Sequence, residues 1–338
     1  MKVSILVPIC GVENYICRCA ESLFNQSYKD IEYIFVDDCS PDKSVNILRN
    51  IIKSYPGRED RVKIISHEIN KGLAASRLTG IANATGNYVM FVDSDDYLEK
   101  DAVEILVDKV IESDNDIVTA SLTHIFSNGY TFVDHPLQVD DKTECLKMML
   151  ERKTFLNVFP RIYRRVLFEK LQKPFVEGLN YGEDYLMTTR IFYYADKISF
   201  VDKPVYNYIH TNSESYTYQF KRLNFENLLK VDSVISDFYR KTGEKDLMES
   251  HQVGRLKLKS EQLIMYLRSK TQFHDDFILI KDHFKERQTE VYLSRLPLQD
   301  YLILKLSEIF PLWIMASYVR IGYSLKQIIK QIKQQYIQ

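Results

Sequence analysis

The sequence predicts an α/β fold: a Rossmann-like, mostly parallel sheet flanked by helices, with a helical region after it. Three observations carry the prediction. Through roughly the first hundred residues, short apolar runs alternate with stretches of helical period, in the order β-α-β-α-β-α-β. Three of the runs end in Pro8, Asp37-Asp38 and Asp93-Ser94-Asp95, so one rim of the sheet collects a proline and several carboxylates. From Tyr218 onward the pattern reads as helix after helix.

Residues 3–8 form the first buried strand, stopped by Pro8. Residues 13–25 carry Ile16, Ala20, Leu23 and Phe24 on a helical stripe. Residues 31–36 form the second strand. Ser40-Pro41 then reads as an N-cap followed by proline at the first helical position, opening a helix to about Tyr55. Residues 62–65 are the third strand. Asn70-Lys71-Gly72 turns into a helix with Leu73, Leu78 and Ile81, which Gly86 is expected to end. The strand Tyr88-Val89-Met90-Phe91-Val92 follows and delivers Asp93-Ser94-Asp95-Asp96.

The pattern then becomes mixed. A helix over 101–112 leads to a strand at 116–120. Asn128-Gly129 joins it to 130–133 as a hairpin. Glu183-Asp184 opens a further helix, and two short strands at 198–201 and 205–208 precede His210. Helices are expected over 221–242, 245–269, 272–287 and 297–310. The division into domains is placed at 1–217 and 218–338.

Composition excludes several classes. The chain has 338 residues, 45% hydrophobic and 27% charged, which is ordinary for a globular protein. A formal net charge of −1 supplies no field to draw in nucleic acid. The five cysteines are odd in number and contain no Cys-x-x-Cys, so reduced thiols in a cytoplasmic protein are expected. No signal peptide and no run long enough to span a membrane is visible. Neither Gly-x-Gly-x-x-Gly nor Gly-Lys-Ser/Thr is present, so neither phosphate-binding glycine loop is expected.

Carboxylates two apart, such as Asp93 and Asp95, repel one another unless a cation lies between them. A hard divalent ion that also holds phosphate oxygens is one reading, and a solvated acidic turn before the next helix is the other. Glu183-Asp184 is likewise open between a catalytic pair and helix N-terminal carboxylates favoured by the dipole.

Taken together, several motifs carry a resemblance. They are Val3-Ser4-Ile5-Leu6-Val7-Pro8, Val36-Asp37-Asp38-Cys39-Ser40, Asn70-Lys71-Gly72 with Arg77 and Gly80, Ala84-Thr85-Gly86, Asp93-Ser94-Asp95-Asp96 and Gly182-Glu183-Asp184. In that order the chain resembles the family-2 glycosyltransferases with the GT-A fold, in particular bacterial ones that build surface polysaccharides. Two departures stand beside the expected base pocket. Cys10-Gly11 replace the usual Tyr-Asn, and Cys39 replaces the usual Gly.

The resemblance implies a metal-dependent, inverting transfer of a sugar from a nucleotide donor, a UDP-sugar by expectation, to a glycan or lipid-linked acceptor. It implies Mn2+ or Mg2+ held by Asp95 with Asp93 beside it, and His210 as a late metal ligand. Pro8, Asp38, Arg77 and Asp93 would line the donor site, with Asp38 accepting from the nucleobase and Arg77 near the base or diphosphate. The bland reading of Arg77 is a salt bridge on a helix surface. Asp184 would be the general base, and Asp96 would cap the next helix or touch the acceptor. A sugar-phosphate nucleotidyltransferase and a non-catalytic member of the fold are the competing readings. Lys326, Lys330 and Lys333 share a helical face next to Leu325, Ile329, Ile332 and Tyr336. That tail reads either as a peripheral contact with the inner face of the membrane or as a stripe packed on the domain or on a second subunit of a homodimer.

Overall fold

The computed structural model describes residues 1–136, 138, 139, 141–210, 220–269, 274–284 and 289–319. Four parallel strands form its first half: β1 (Val3–Ile9), β2 (Ile31–Asp37), β3 (Val62–Ser66) and β4 (Tyr88–Phe91). Their order is β3-β2-β1-β4. β1 is apolar but for Ser4 because elements pack on both faces of the sheet; Val3, Ile5, Leu6, Val7 and Ile9 are all buried. The connections are helices α1 (Ile16–Phe24), α2 (Ser44–Lys53) and α3 (Leu73–Asn83). The chain leaves β1 to one side for β2 and β3, then returns to the other side for β4. Ligands of open α/β sheets bind at such a reversal, outside the carboxyl ends of the strands.

Beyond β4 the sheet is mixed. β5 (Tyr97–Leu98) and α4 (Ala102–Ser113) precede the hairpin of β6 (Ile117–Ile125) and β7 (Thr131–Asp134). Next come α5 (Lys142–Leu150), β8 (Arg161–Arg164), α6 (Val166–Leu171), α7 (Glu183–Tyr194) and β9 (Ile198–Ile209). β8 runs antiparallel to both β4 and β6, β9 runs parallel to β6, and β5 closes the edge. The helical region holds α8 (Arg222–Thr242), α9 (Lys245–Arg268), α10 (His274–Asp282), α11 (Glu290–Leu293) and α12 (Leu298–Ile309). A further helix covers 312–319. Among the described residues no helix is long and apolar enough to cross a membrane.

Two apolar cores meet along α8. Val231, Ile235 and Tyr239 join the core around the sheet, while Phe225 and Leu228 join the one among the C-terminal helices. The expected domain boundary at 217/218 and the lysines of the tail lie outside the described residues.

Three local expectations are corrected. Ser40-Pro41 does not open a helix. Asp42 instead gathers Ser40 Oγ, Ser44 N and Ser44 Oγ on Oδ1 and Glu13 N on Oδ2, a polar turn that delays α2 to Ser44. The two short strands at 198–208 are one. Val201 pairs with Ala120, Pro204 with Ser121 and Tyr206 with Leu122, so the proline sits in a bulge that asks no N–H of it. Gly86 does not end α3, which stops at Asn83. It permits close packing: a Cβ there would lie 2.7 Å from Ser4 Oγ and 2.8 Å from Lys2 O.

Gly86→Ala must push this backbone aside. Overpacking of that kind costs roughly 1–3 kcal/mol. Urea unfolding should therefore show a lowered midpoint, and an unchanged midpoint would contradict the close approach.

Candidate active site

The carboxyl ends of β1 to β4 and the N-terminus of α7 converge on a set of acidic groups. Within the loop after β4, Asp93 and Asp95 are half-buried while Ser94 and Asp96 are turned inside. The alternation sends the first two carboxylates toward the open side. Asp96 is fully buried: its Oδ2 accepts from Tyr206 Oη at 2.7 Å and its Oδ1 from Ile209 N at 2.8 Å. It therefore neither caps the next helix nor faces an acceptor. It pins β9 to the acidic loop, and burial holds its carboxyl well above the usual range.

Arg77 is the centre of the cluster. It lies on α3 with 1% of its side chain exposed, which removes the surface salt bridge as a reading. Its Nη1 donates to Glu183 Oε1 at 3.0 Å and to Asp184 Oδ1 at 2.5 Å, and its Nη2 to Asp93 Oδ1 at 3.0 Å. Phe91 and Phe175 flank the guanidinium at 6.0 and 5.7 Å. Asp93 and Asp184 keep about a quarter of their side chains exposed, 25% and 22%. Asp184 Oδ2 accepts a long hydrogen bond, 3.4 Å, from Val158 N.

One guanidinium cannot balance these carboxylates when all are ionised. Burial pushes the Asp93 carboxyl up to about 6, with Arg77 pulling against it and Asp184 and Asp95 pushing with it. Glu183 is held higher still, by burial first and then by Asp184, with Arg77 opposing both.

Asp38 sits at the foot of α3, away from solvent. Its Oδ1 accepts from Lys71 N at 2.8 Å and lies 2.7 Å from His67 Nδ1, and its Oδ2 accepts from Gly72 N at 2.7 Å. His67 Nε2 reaches Thr79 Oγ1 at 2.9 Å. Pro8 pairs with Val36 one step inside the rim. Cys39 has φ 54, a left-handed conformation that glycine adopts without strain, which explains why the resembling family keeps Gly there. Cys10 Sγ, next to the same turn, accepts from Asn70 Nδ2 at 3.2 Å.

His210 pairs with a second imidazole. Its Nε2 lies 2.7 Å from His124 Nδ1, and its ring stacks on Phe126 at 4.3 Å. Burial lowers the pKa of both imidazoles. So the structure brings Arg77, Asp93 and Asp184 together, sets Asp38 at the base of the same helix, and stacks His210 against an aromatic hairpin. Sequence reasoning missed His67, Tyr206 and the Glu183 contact. His67 was findable, because β3 delivers its end to the same rim as β1, β2 and β4. Tyr206 was findable from the period of two in β9, which puts 206, 208 and 210 on one face.

Among the described residues no three His, Cys, Asp or Glu side chains form a metal cage. A magnesium-like ion takes one or two carboxylates from a protein and its remaining ligands from phosphate and water. The Asp93 and Asp95 carboxylates fit that donor set.

Comparison with known proteins adds four findings. The family model described as Glycosyl transferase family 2 matches residues 4–172. The uncharacterized glycosyltransferase EpsJ of Bacillus subtilis (strain 168) is 32% identical over 247 residues, 71% of this chain and 70% of that protein. Glycosyltransferase GlyA of Streptococcus pneumoniae serotype 4 is 34% identical over 218 residues, 61% of this chain; the match spans only 30% of the length of GlyA. The crystal structure of S. aureus TarS 1–349 in complex with UDP-GlcNAc superposes with a TM-score of 0.70 over 96% of this chain and 92% of that one, at 20% identity. At that identity the likeness is one of fold.

The crowding of carboxylates predicts a pH signature. Burial and the Asp184 charge hold the Glu183 carboxyl above the ordinary value of 4.5, so the folded state loses stability as pH rises above that value. Glu183→Gln removes that loss. Its melting temperature should match that of the parent near pH 4.5 and exceed it increasingly as pH rises. A constant difference from pH 4.5 to 8 would show that Glu183 is ionised throughout.

Proposed function

The chain belongs to glycosyl transferase family 2, and from that premise we propose that it moves a sugar from a UDP-sugar to a hydroxyl of a glycan or lipid-linked acceptor in surface-polysaccharide synthesis. The observation that carries the proposal is the joining of Asp93 and Asp184 by Arg77 at the reversal point of the sheet. One carboxylate belongs to the donor loop and the other to the helix that faces it. Sugar transfer needs both, since negative charge grows on the departing diphosphate while the acceptor hydroxyl loses a proton.

Asp184 is the proposed base. Arg77 fixes its Oδ1, which leaves Oδ2 to take the proton. The acceptor oxygen then forms its bond to the anomeric carbon, and the bond from that carbon to the β-phosphate oxygen breaks with its electron pair going to UDP. Attack opposite the leaving group inverts the centre, so an α-linked donor gives a β-linked product. Asp95, with Asp93 beside it, would hold Mn2+ or Mg2+. Such an ion neutralises charge on the leaving diphosphate. Asp38 and the Lys71-Gly72 turn it organises are proposed to meet the nucleobase, with Cys10 and Cys39 at its edge. The complex of TarS with UDP-GlcNAc supports UDP as the carrier.

A thermal-shift panel of nucleotide sugars with and without Mn2+ tests the donor class. UDP-sugars should raise the melting temperature only with metal, and no response to any nucleotide sugar would count against the proposal. Asp95→Ala should abolish metal-dependent UDP binding while the fold survives; unchanged affinity would remove Asp95 from the metal site. Asp184→Asn should bind UDP as before and transfer sugar roughly 10²–10⁴-fold more slowly. Transfer at the parent rate would mean another residue is the base.

A further inference from the structure

The base and the donor loop are far apart in sequence, and α3 lies between them in space. The turn that starts α3 is held by Asp38 through Lys71 N and Gly72 N. On its other side, Asn180 packs so tightly on Gly72 that an added Cβ would lie 2.1 Å from Asn180 Nδ2. Asn180 Oδ1 also accepts from Ala74 N at 3.1 Å, at the free N-terminus of the helix. Further along α3, Arg77 reaches Glu183, Asp184 and Asp93. Residues 180–184 are thus tied to α3 twice, at its first turn and at Arg77. Gly182 bends the segment between the two ties with φ +85.

We propose that Arg77, aided by Asn180, is the positioning residue of the general base: α3 sets where Asp184 stands relative to Asp93 and to the turn at Asp38. The inference rests on the reading of the chain as a sugar transferase. Its physical basis is geometric. A guanidinium offers two nitrogens at fixed spacing in one plane, so one side chain can hold Asp184 on one nitrogen and Asp93 on the other. Lysine keeps the charge but offers a single flexible ammonium. A pair set this way loses rate, not donor affinity, when the spacing is lost, because misplacement by about an ångström can cost two orders of magnitude.

The test is a double-mutant cycle on the full chain. Arg77→Lys should lower kcat about 10–100-fold at saturating donor and change donor KM by less than about threefold. In the Asp184→Asn background the same substitution should cost less than about threefold, because Arg77 acts through Asp184. Asn180→Ala, at a half-buried site, should act in the same direction with a smaller loss and show the same lack of additivity. Equal losses in both backgrounds, or a rise in KM with kcat intact, would overturn the inference. Hydrogen exchange reads the positioning without substrate. Arg77→Lys and Asn180→Ala should speed exchange across 180–188 and leave β1 and β2 unchanged. Unchanged exchange over 180–188 overturns the inference whether or not the chain transfers sugar. Faster exchange in a chain that transfers no sugar from any donor supports the positioning and removes the transferase reading instead.

Discussion

A buried guanidinium with three carboxylates around it is the constraint on which the site depends. Arg77 has almost no solvent contact, and its Nε finds no hydrogen-bond partner among the described residues. Removing the guanidinium would leave the carboxylates around it without their cation, and breaking a buried ion pair costs about 3–5 kcal/mol in typical cases. Arg77 therefore fixes more than a charge balance. The end of β4, the start of α7 and the middle of α3 are held at one point. The Phe91 and Phe175 rings flank the guanidinium.

The C-terminal helices serve the same point from behind. Leu228 of α8 packs against Gly182, where a Cβ would meet its Cδ2 at 2.8 Å, and Tyr239 Oη donates to Thr189 O at 2.6 Å. Tyr185 Oη donates to Leu150 O at 3.0 Å, which joins α7 to the end of α5. The helix that carries Asp184 is thus clamped by α3 on the site side and by α8 and α5 on the far side. The helical region packs behind the helix that carries Asp184, and α8 joins the two by contributing to both cores.

The sequence made the alternating strands and the acidic strand ends legible, because apolar period and carboxylate spacing are local signals. The parallel sheet followed from them, whereas its strand order, β3-β2-β1-β4, comes from the structure. Long-range choices were not legible. Nothing local says that Arg77 spans 106 residues to Glu183, or that Asp96 turns inward to hold Ile209. Asp93 and Asp96 look alike in sequence, and only the position of β9 decides which is buried. The start of α2 misled because Ser-Pro is a good helix opener in isolation, whereas Asp42 and Glu13 supply a competing turn across two loops. Cys39 in a left-handed conformation shows the converse: there the departure from Gly is visible in sequence, and its backbone reason only in the fold.

A crystal structure of the chain with a UDP-sugar and Mn2+ tests the account most directly. The account predicts the diphosphate over Asp93 and Asp95, and Asp184 Oδ2 facing the anomeric carbon from the side opposite the phosphate while Oδ1 stays on Arg77. A nucleotide bound away from this rim, or Asp184 turned from the sugar with its contact to Arg77 broken, would contradict it.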